Sequence, residues 1–255
     1  MAKPPAPDGI APPRASRDLA HDGRFSLRGM GVLVAGGTGA LGSAVVRELL
    51  DAGYDCAVTW IVERELERAE AELGDRVAFV RADLIDPDGG AAEAVAAVDD
   101  LDAVVDLVGG FSAGPLVHEL SWEDFDGMLR LNLAPAFNLA RAAIPRLLER
   151  GGGGFVAVSA RAAVRPFAGA AAYVTSKAAV LAFIQALDAD YRKNGIRANA
   201  ILPSVIDTPA NRAGQPDADH SKWVQPAEIA KVVRHLVSDD AAVTSGAAIP
   251  VYGRA

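Results

Sequence analysis

The amino-acid sequence predicts an α/β fold, a doubly wound parallel sheet of about seven strands in a single domain. Strand-like and helix-like segments alternate from about residue 30 to the end of the chain, which is the rhythm of βαβ units. The strand-like segments are continuous apolar runs, as expected of strands covered on both faces. The length of 255 residues is large for an average domain and ordinary for one large α/β sheet. No composition shift, linker or internal repeat divides it.

The elements follow in order. Gly31-Val-Leu-Val-Ala35 is an apolar run that stops at glycines, and residues 40–52 place Leu41, Val45, Leu49 and Leu50 on one helical face. Cys56 to Trp60 reads as a second strand, Glu63 to Leu73 as a charged helix, Arg76 to Val80 as a third strand and Gly90 to Val98 as a short helix. Ala103 to Val108 is a fourth strand that again ends at glycines. Two helical stretches are expected over about 121–149, with Asn132 near their junction. A fifth strand over Phe155 to Val158 leads to a long helix over about 171–192. Ala198 to Leu202, residues 226–237 and Ala247 to Val251 complete the set as strand, helix and strand. Ahead of them, residues 1–24 are rich in Pro and Ala and are expected to form a flexible tail, leaving residues 25–255 as the folded domain.

Composition excludes several function classes. Lys and Arg number 25 against 33 Asp and Glu, a formal charge of −8, and the basic residues are scattered. A nucleic-acid-binding surface is not expected. Cys56 is the single cysteine, so neither a disulfide framework nor a thiolate metal cluster is available, and a cytoplasmic setting fits. His21, His118, His220 and His235 lack metal-ligand spacing and are expected at the surface or in loops. No apolar run is long enough to span a membrane, and the N-terminal stretch lacks the apolar centre of a secretory signal.

Gly36-Gly-Thr38-Gly39-Ala-Leu41-Gly42 lies between the first strand and the first helix. Glycines at that junction permit a tight turn and close backbone approach, and the free N–H groups and dipole of the following helix favour a phosphate. A glycine-rich strand-to-helix turn without a ligand is the bland reading. The spacing resembles the TGxxxGxG loop of the short-chain dehydrogenase/reductase family, with Ala35 in place of Thr and Ala40 in place of the middle Gly. That resemblance implies a Rossmann-type sheet and NAD(P) binding by Gly36, Thr38, Gly39, Leu41 and Gly42. In dinucleotide folds an acidic residue at the end of the second strand bonds the ribose hydroxyls, whereas a nearby Arg accommodates a 2′-phosphate. The position falls on Trp60, which is not acidic. Arg64 therefore slightly favours NADP(H) over NAD(H), although Glu63 as a ribose ligand would reverse the preference. Asp83 and Leu84 resemble the family's adenine-side contact, or else a helix N-cap region.

Tyr173-Val-Thr-Ser-Lys177 is the second feature. Residues four apart share a helix face, so the Lys177 ammonium is expected near the Tyr173 phenol, where it would lower the phenol pKa and suit it to proton transfer. Glycine loop, Asn132 and YxxxK occur in the order found in the same family, and the resemblance covers about residues 28–253. It implies a catalytic Asn132, Tyr173 and Lys177. It also implies cofactor contacts from Gly109 and Gly110 after the fourth strand, from Lys177, and from Pro203, Val205 and Thr208 in a segment resembling PGxxxT.

One departure narrows the reading. The family usually carries a serine 13 residues before the tyrosine, and that position is Ala160. Ser159 is adjacent, but a one-residue shift at a strand end points a side chain the other way. Dihydropteridine reductase, a branch of the family, is similar in lacking this serine and in the segments Val108-Gly-Gly-Phe-Ser-Ala-Gly114 and Leu202 to Arg212. The expected activity is NAD(P)H-dependent hydride transfer to a C=O group, or to a quinonoid C=N group as in that branch. An inactive dinucleotide-binding regulator or scaffold is the rival reading. Residues 204–224 are expected to form a lid, with Asn211, Arg212 and Trp223, and also Ser159, as possible substrate contacts. A metal is not expected, and the resemblance implies a small-molecule substrate and a homodimer or homotetramer.

Overall fold

The computed structural model describes residues 30–254; the expected tail, residues 1–24, lies outside them. Seven parallel strands form one sheet in the order β3-β2-β1-β4-β5-β6-β7. They are β1 (Gly31–Ala35), β2 (Asp55–Trp60), β3 (Val77–Arg81), β4 (Leu101–Asp106), β5 (Gly153–Val158), β6 (Ile196–Pro203) and β7 (Ala248–Val251). The helices are α1 (Ala40–Asp51), α2 (Glu63–Leu73), α3 (Ala91–Ala96), α4 (Trp122–Arg150), α5 (Ala171–Tyr191), α6 (Pro209–Gly214) and α7 (Pro226–Val237).

The continuous apolar strands are explained by the two cores. Leu33, Val104, Phe155 and Ala200 face α3, α4 and α5. Val32, Val34, Val105 and Val156 face α1, α2 and α7. Alternate residues of each strand thus feed opposite cores, and neither face of the sheet meets water. The strand order reverses between β1 and β4, and ligands of such sheets bind at the carboxyl ends of the strands at that reversal.

The two stretches expected over 121–149 are one helix, α4, which carries Pro135 and Pro145 inside it. A proline removes one intrahelical donor, but packing against α3, α5 and β4 holds the helix together across it. At its start the Ser121 side chain accepts from the Asp124 N–H, a side-chain N-cap. β4 begins at Leu101 and ends at Asp106, two residues earlier than expected at each end. A carboxylate therefore ends the strand.

Candidate active site

The loop after β1 is shaped by close packing. Gly36 has φ +72°, the left-handed region that glycine enters without strain. A Cβ on Gly42 would come within 2.2 Å of the Gly36 carbonyl oxygen, so the first turn of α1 can pack on the loop only with glycine there. Ala40, by contrast, is exposed, so its methyl intrudes on nothing. The N-cap of α1 is Gly39, without a side-chain cap and with no acidic residue in the first turn. The leading N–H groups of α1 therefore have no side chain competing for them, as a pyrophosphate site requires.

Thr38 is tied to α2. Its side chain is buried, with Oγ1 donating to Glu65 Oε2 at 3.3 Å, so the hydroxyl is turned to α2 rather than toward a ligand. Arg68 on the same helix donates to the Thr38 carbonyl at 2.6 Å. Two α2 residues passed over in the sequence thus brace the loop, whereas Arg64 is exposed on the first turn of α2. At the end of β2, the Arg81 guanidinium lies over the Trp60 ring, 6.0 Å from its centroid. Farther along the edge, Asp83 is exposed and accepts the Ile85 N–H, while Leu84 is buried and its carbonyl accepts from Asn138.

Tyr173, Lys177 and Asn132 converge at the carboxyl ends of β4 and β5. Asn132 accepts the Gly110 N–H at 2.9 Å, donates to the Gly110 carbonyl at 3.2 Å and donates to Ser176 Oγ at 2.9 Å. Ser176 in turn donates to the Tyr173 carbonyl. The glycine segment after β4 is thereby tied through α4 to the helix that carries the tyrosine. Gly109 lies against Lys177 and Asn132: a Cβ there would sit 2.4 Å from Asn132 Oδ1 and 2.9 Å from Lys177 Nζ.

The Lys177 ammonium donates to the Val158 carbonyl at 2.9 Å. It does not lower the Tyr173 phenol as the four-residue spacing suggests. Burial pushes that phenol up to about 12 instead, because a shared helix face aligns the side-chain stems but not their tips. A carboxylate-bearing residue, Asp106, lies in the same buried region and acts on Lys177. In the sequence it stands inside the apolar run Ala103 to Val108.

Above this machinery is an aromatic rim. The Phe111 ring meets Tyr173 edge-on at 4.9 Å between centroids and lies 6.5 Å from Phe167. Phe111 is 60% exposed and Phe167 is 50% exposed. Their loops are joined by the Gly114 N–H donating to the Gly169 carbonyl at 2.8 Å. Ala160, which follows β5, is buried and carries no hydroxyl. Ser159 is buried and donates to the Lys177 carbonyl at 2.7 Å, so in this structure it braces α5.

Residues 204–224 are ordered by local bonds. Thr208 caps α6 by accepting the Asn211 N–H, and Asn211 donates to the Ile206 carbonyl. The Val205 carbonyl accepts the Val224 N–H, and Pro203 closes β6 beside Val251. Arg212 pairs with Asp207, which also accepts from Gln225; this holds the Asp207 carboxyl below the usual carboxylate range. Trp223 is buried with its ring beside His220, so it anchors the segment and is not a free substrate contact. A separate hollow at the amino ends of β4, β5 and β6, lined by Asp102, Arg192 and Arg197, lies at the opposite ends of the strands from Tyr173.

Known proteins resemble this chain in sequence and fold. The family model described as short chain dehydrogenase matches residues 31–219. The 2-(R)-hydroxypropyl-CoM dehydrogenase of Xanthobacter autotrophicus is 30% identical over 241 residues, spanning 87% of this chain and 96% of that protein. The D-threitol dehydrogenase of Mycolicibacterium smegmatis is 31% identical over 253 residues, spanning 93% of this chain and 97% of that protein. The structure of a short-chain type dehydrogenase/reductase from Mycobacterium ulcerans matches with a TM-score of 0.82 at 25% identity, over 88% of this chain and 89% of that one. The seven-stranded parallel sheet, the open glycine loop and these matches together make the chain a member of the short-chain dehydrogenase/reductase family, an oxidoreductase of the NAD(P)-binding kind.

Proposed function

We propose that this protein is an NAD(P)H-dependent reductase of a small molecule, with Tyr173 as the proton donor. One observation carries the reading: Tyr173, Lys177 and Asn132 meet at the strand ends beside an uncapped α1 N-terminus. When bound, the nicotinamide cofactor supplies the hydride. The glycine loop with Gly36, Gly39, Leu41 and Gly42 would hold its pyrophosphate, and Gly109, Gly110, Pro203, Val205 and Thr208 would line its nicotinamide half. Lys177 would hold the nicotinamide ribose, and Asn132 would fix the loop around it. Tyr173 keeps its proton in the ligand-free site because burial holds the phenol neutral. It is therefore poised to donate as negative charge develops on the substrate. NADPH is favoured over NADH because Trp60 is not acidic and Arg64, Arg68 and Arg81 gather near that strand end.

The aromatic rim favours a planar, uncharged substrate ring. Stacking on Phe111 and Phe167 would orient such a ring, since offset and edge-on aromatic pairs add about 1 kcal/mol beyond burial. With Ala160 offering no hydroxyl, Tyr173 is the one side-chain donor that the reading assigns to the reacting atom. Both features suit the quinonoid reduction of the dihydropteridine reductase branch. Self-association through α4 and α5 is part of the proposal, supported by the half-exposed Phe137 packed 6.0 Å from Phe183 on their outer faces.

The test follows NADPH and NADH absorbance with aliphatic ketones, quinones and a quinonoid pterin, and compares Tyr173→Phe. The variant is expected to bind NADPH, read by fluorescence, while turnover falls by about 10²–10⁴-fold. Unchanged turnover removes Tyr173 from the role. Cofactor binding with no reduction of any substrate class favours the regulator or scaffold reading.

A further inference from the structure

Asp106 has no place in the chemistry assigned above, yet it is 2% exposed at the end of β4. Burying a carboxylate costs several kcal/mol unless it is compensated. Its neighbours in the sheet are Ala35 on β1 and Ala157 on β5, which offer no charge. Its carboxylate accepts the Val108 N–H at 3.1 Å. Lys177 is likewise buried, at 5% exposed, and its ammonium bonds the carbonyl of Val158, the residue after Ala157. Two opposite charges are therefore enclosed at adjacent strand ends, and Gly109 lies against the ammonium because it has no side chain to displace it.

We propose that Asp106 is a positioning residue whose carboxylate is the buried counter-charge that keeps the Lys177 ammonium protonated at the catalytic edge.

The electrostatics agree in direction. Burial raises the Asp106 carboxyl and Lys177 offsets part of that rise; burial lowers Lys177 and Asp106 offsets part of that fall. Tyr173 lies one turn earlier on α5, and Arg161 follows Ser159 after β5, where its guanidinium lies over the Tyr252 ring. Asn132 from α4, Ser176 from α5 and Ser159 after β5 carry no charge there. The pair can exist as carboxylate with ammonium or as carboxylic acid with amine, both with the same net proton count, so its titration belongs to the pair. Only the first form presents a cation to the nicotinamide ribose.

Asp106→Asn separates charge from structure. The amide oxygen can still accept the Val108 N–H in the same volume, so the turn is preserved while the charge is removed. In ligand-free protein labelled with ¹³C at the lysine ε-carbon, the Lys177 resonance is assigned by its loss in Lys177→Gln. Its midpoint is expected to move to lower pH by about one unit in Asp106→Asn, a roughly tenfold loss of proton affinity, and to return in Asp106→Glu. The alkaline limb of kcat/KM is expected to move the same way. An unmoved Lys177 midpoint overturns the proposal and leaves Asp106 as a turn-forming residue. If Asp106→Asn does not fold, the Asp106 carboxyl carbon of the wild type decides. Its midpoint is compared with that in Lys177→Gln: a rise in the variant supports the proposal, and a midpoint that does not move overturns it. The activity arm rests on the reductase reading, but the titration arms need neither cofactor nor turnover, so the two can fail separately.

Discussion

Ser159 and Ala160 show how one position along a strand end separates bracing from chemistry. The Ser159 hydroxyl points into α5 and donates to the Lys177 carbonyl, while the next residue, Ala160, offers only a buried methyl. Ser159→Ala is therefore expected to cost about 1 kcal/mol of stability, the usual net value of one intramolecular hydrogen bond. That corresponds to roughly 2–4 °C in Tm for a chain of this size. Turnover is expected to change by less than about tenfold, since the hydroxyl acts on backbone. Thermal unfolding alongside kcat decides it: a large loss of kcat at unchanged Tm would place the hydroxyl on the substrate. Tyr173, Lys177 and Asn132 were legible from residue type and order. Asp106 was not, because a lone acid inside the apolar run Ala103 to Val108 carries no motif of its own. Its burial depends on neighbours far away in the chain.

Elements explain why the active-site loops stay where they are. α4 reaches back through Asn132 to Gly110 and Ser176, and α2 reaches through Glu65 and Arg68 to Thr38. The segment between β6 and α7 is held by Asp207, which joins Arg212 on α6 to Gln225 at the start of α7. The Asp207 carboxyl is depressed by these bonds, so its stabilising effect is present above the unfolded value of about 4. It is lost as the pH falls below that. Asp207→Asn is expected to flatten the acid-side fall of Tm below about pH 4 and to speed proteolysis within residues 204–224 at neutral pH. Equal acid slopes for the two proteins would remove this cluster from the explanation. The segment was read from its polarity as a lid with free contact residues. The structure turns Trp223 inward and pairs Arg212, because partners for both lie within the segment or at the start of α7.

At the scale of the molecule, two apolar cores clamp one sheet, and every loop of the candidate site leaves the same edge of it. Cofactor binding should then stabilise the whole domain by mass action, by RT ln(1 + [L]/Kd). At NADPH near 100 times its Kd this is about 2.7 kcal/mol, or about 5–11 °C in Tm. NADH at the same concentration is expected to give a smaller shift, and the reverse order in a thermal melt would overturn the NADPH preference. No helix among the described residues is long and apolar enough to cross a membrane.

The alternation of apolar strands and amphipathic helices, the glycine loop and the order Asn132, Tyr173, Lys177 were determined by the sequence alone. Each depends on local periodicity or on short spacings, and these survive without knowledge of neighbours. The tertiary structure decided where side-chain tips go. It turned Thr38 to Glu65, sent the Lys177 ammonium to Val158 rather than to the Tyr173 phenol, and enclosed Asp106 beside it. It also left Phe111 and Phe167 half-exposed over Tyr173. Those outcomes depend on burial and on partners dozens of residues away, because desolvation and close packing arise only once the sheet has assembled.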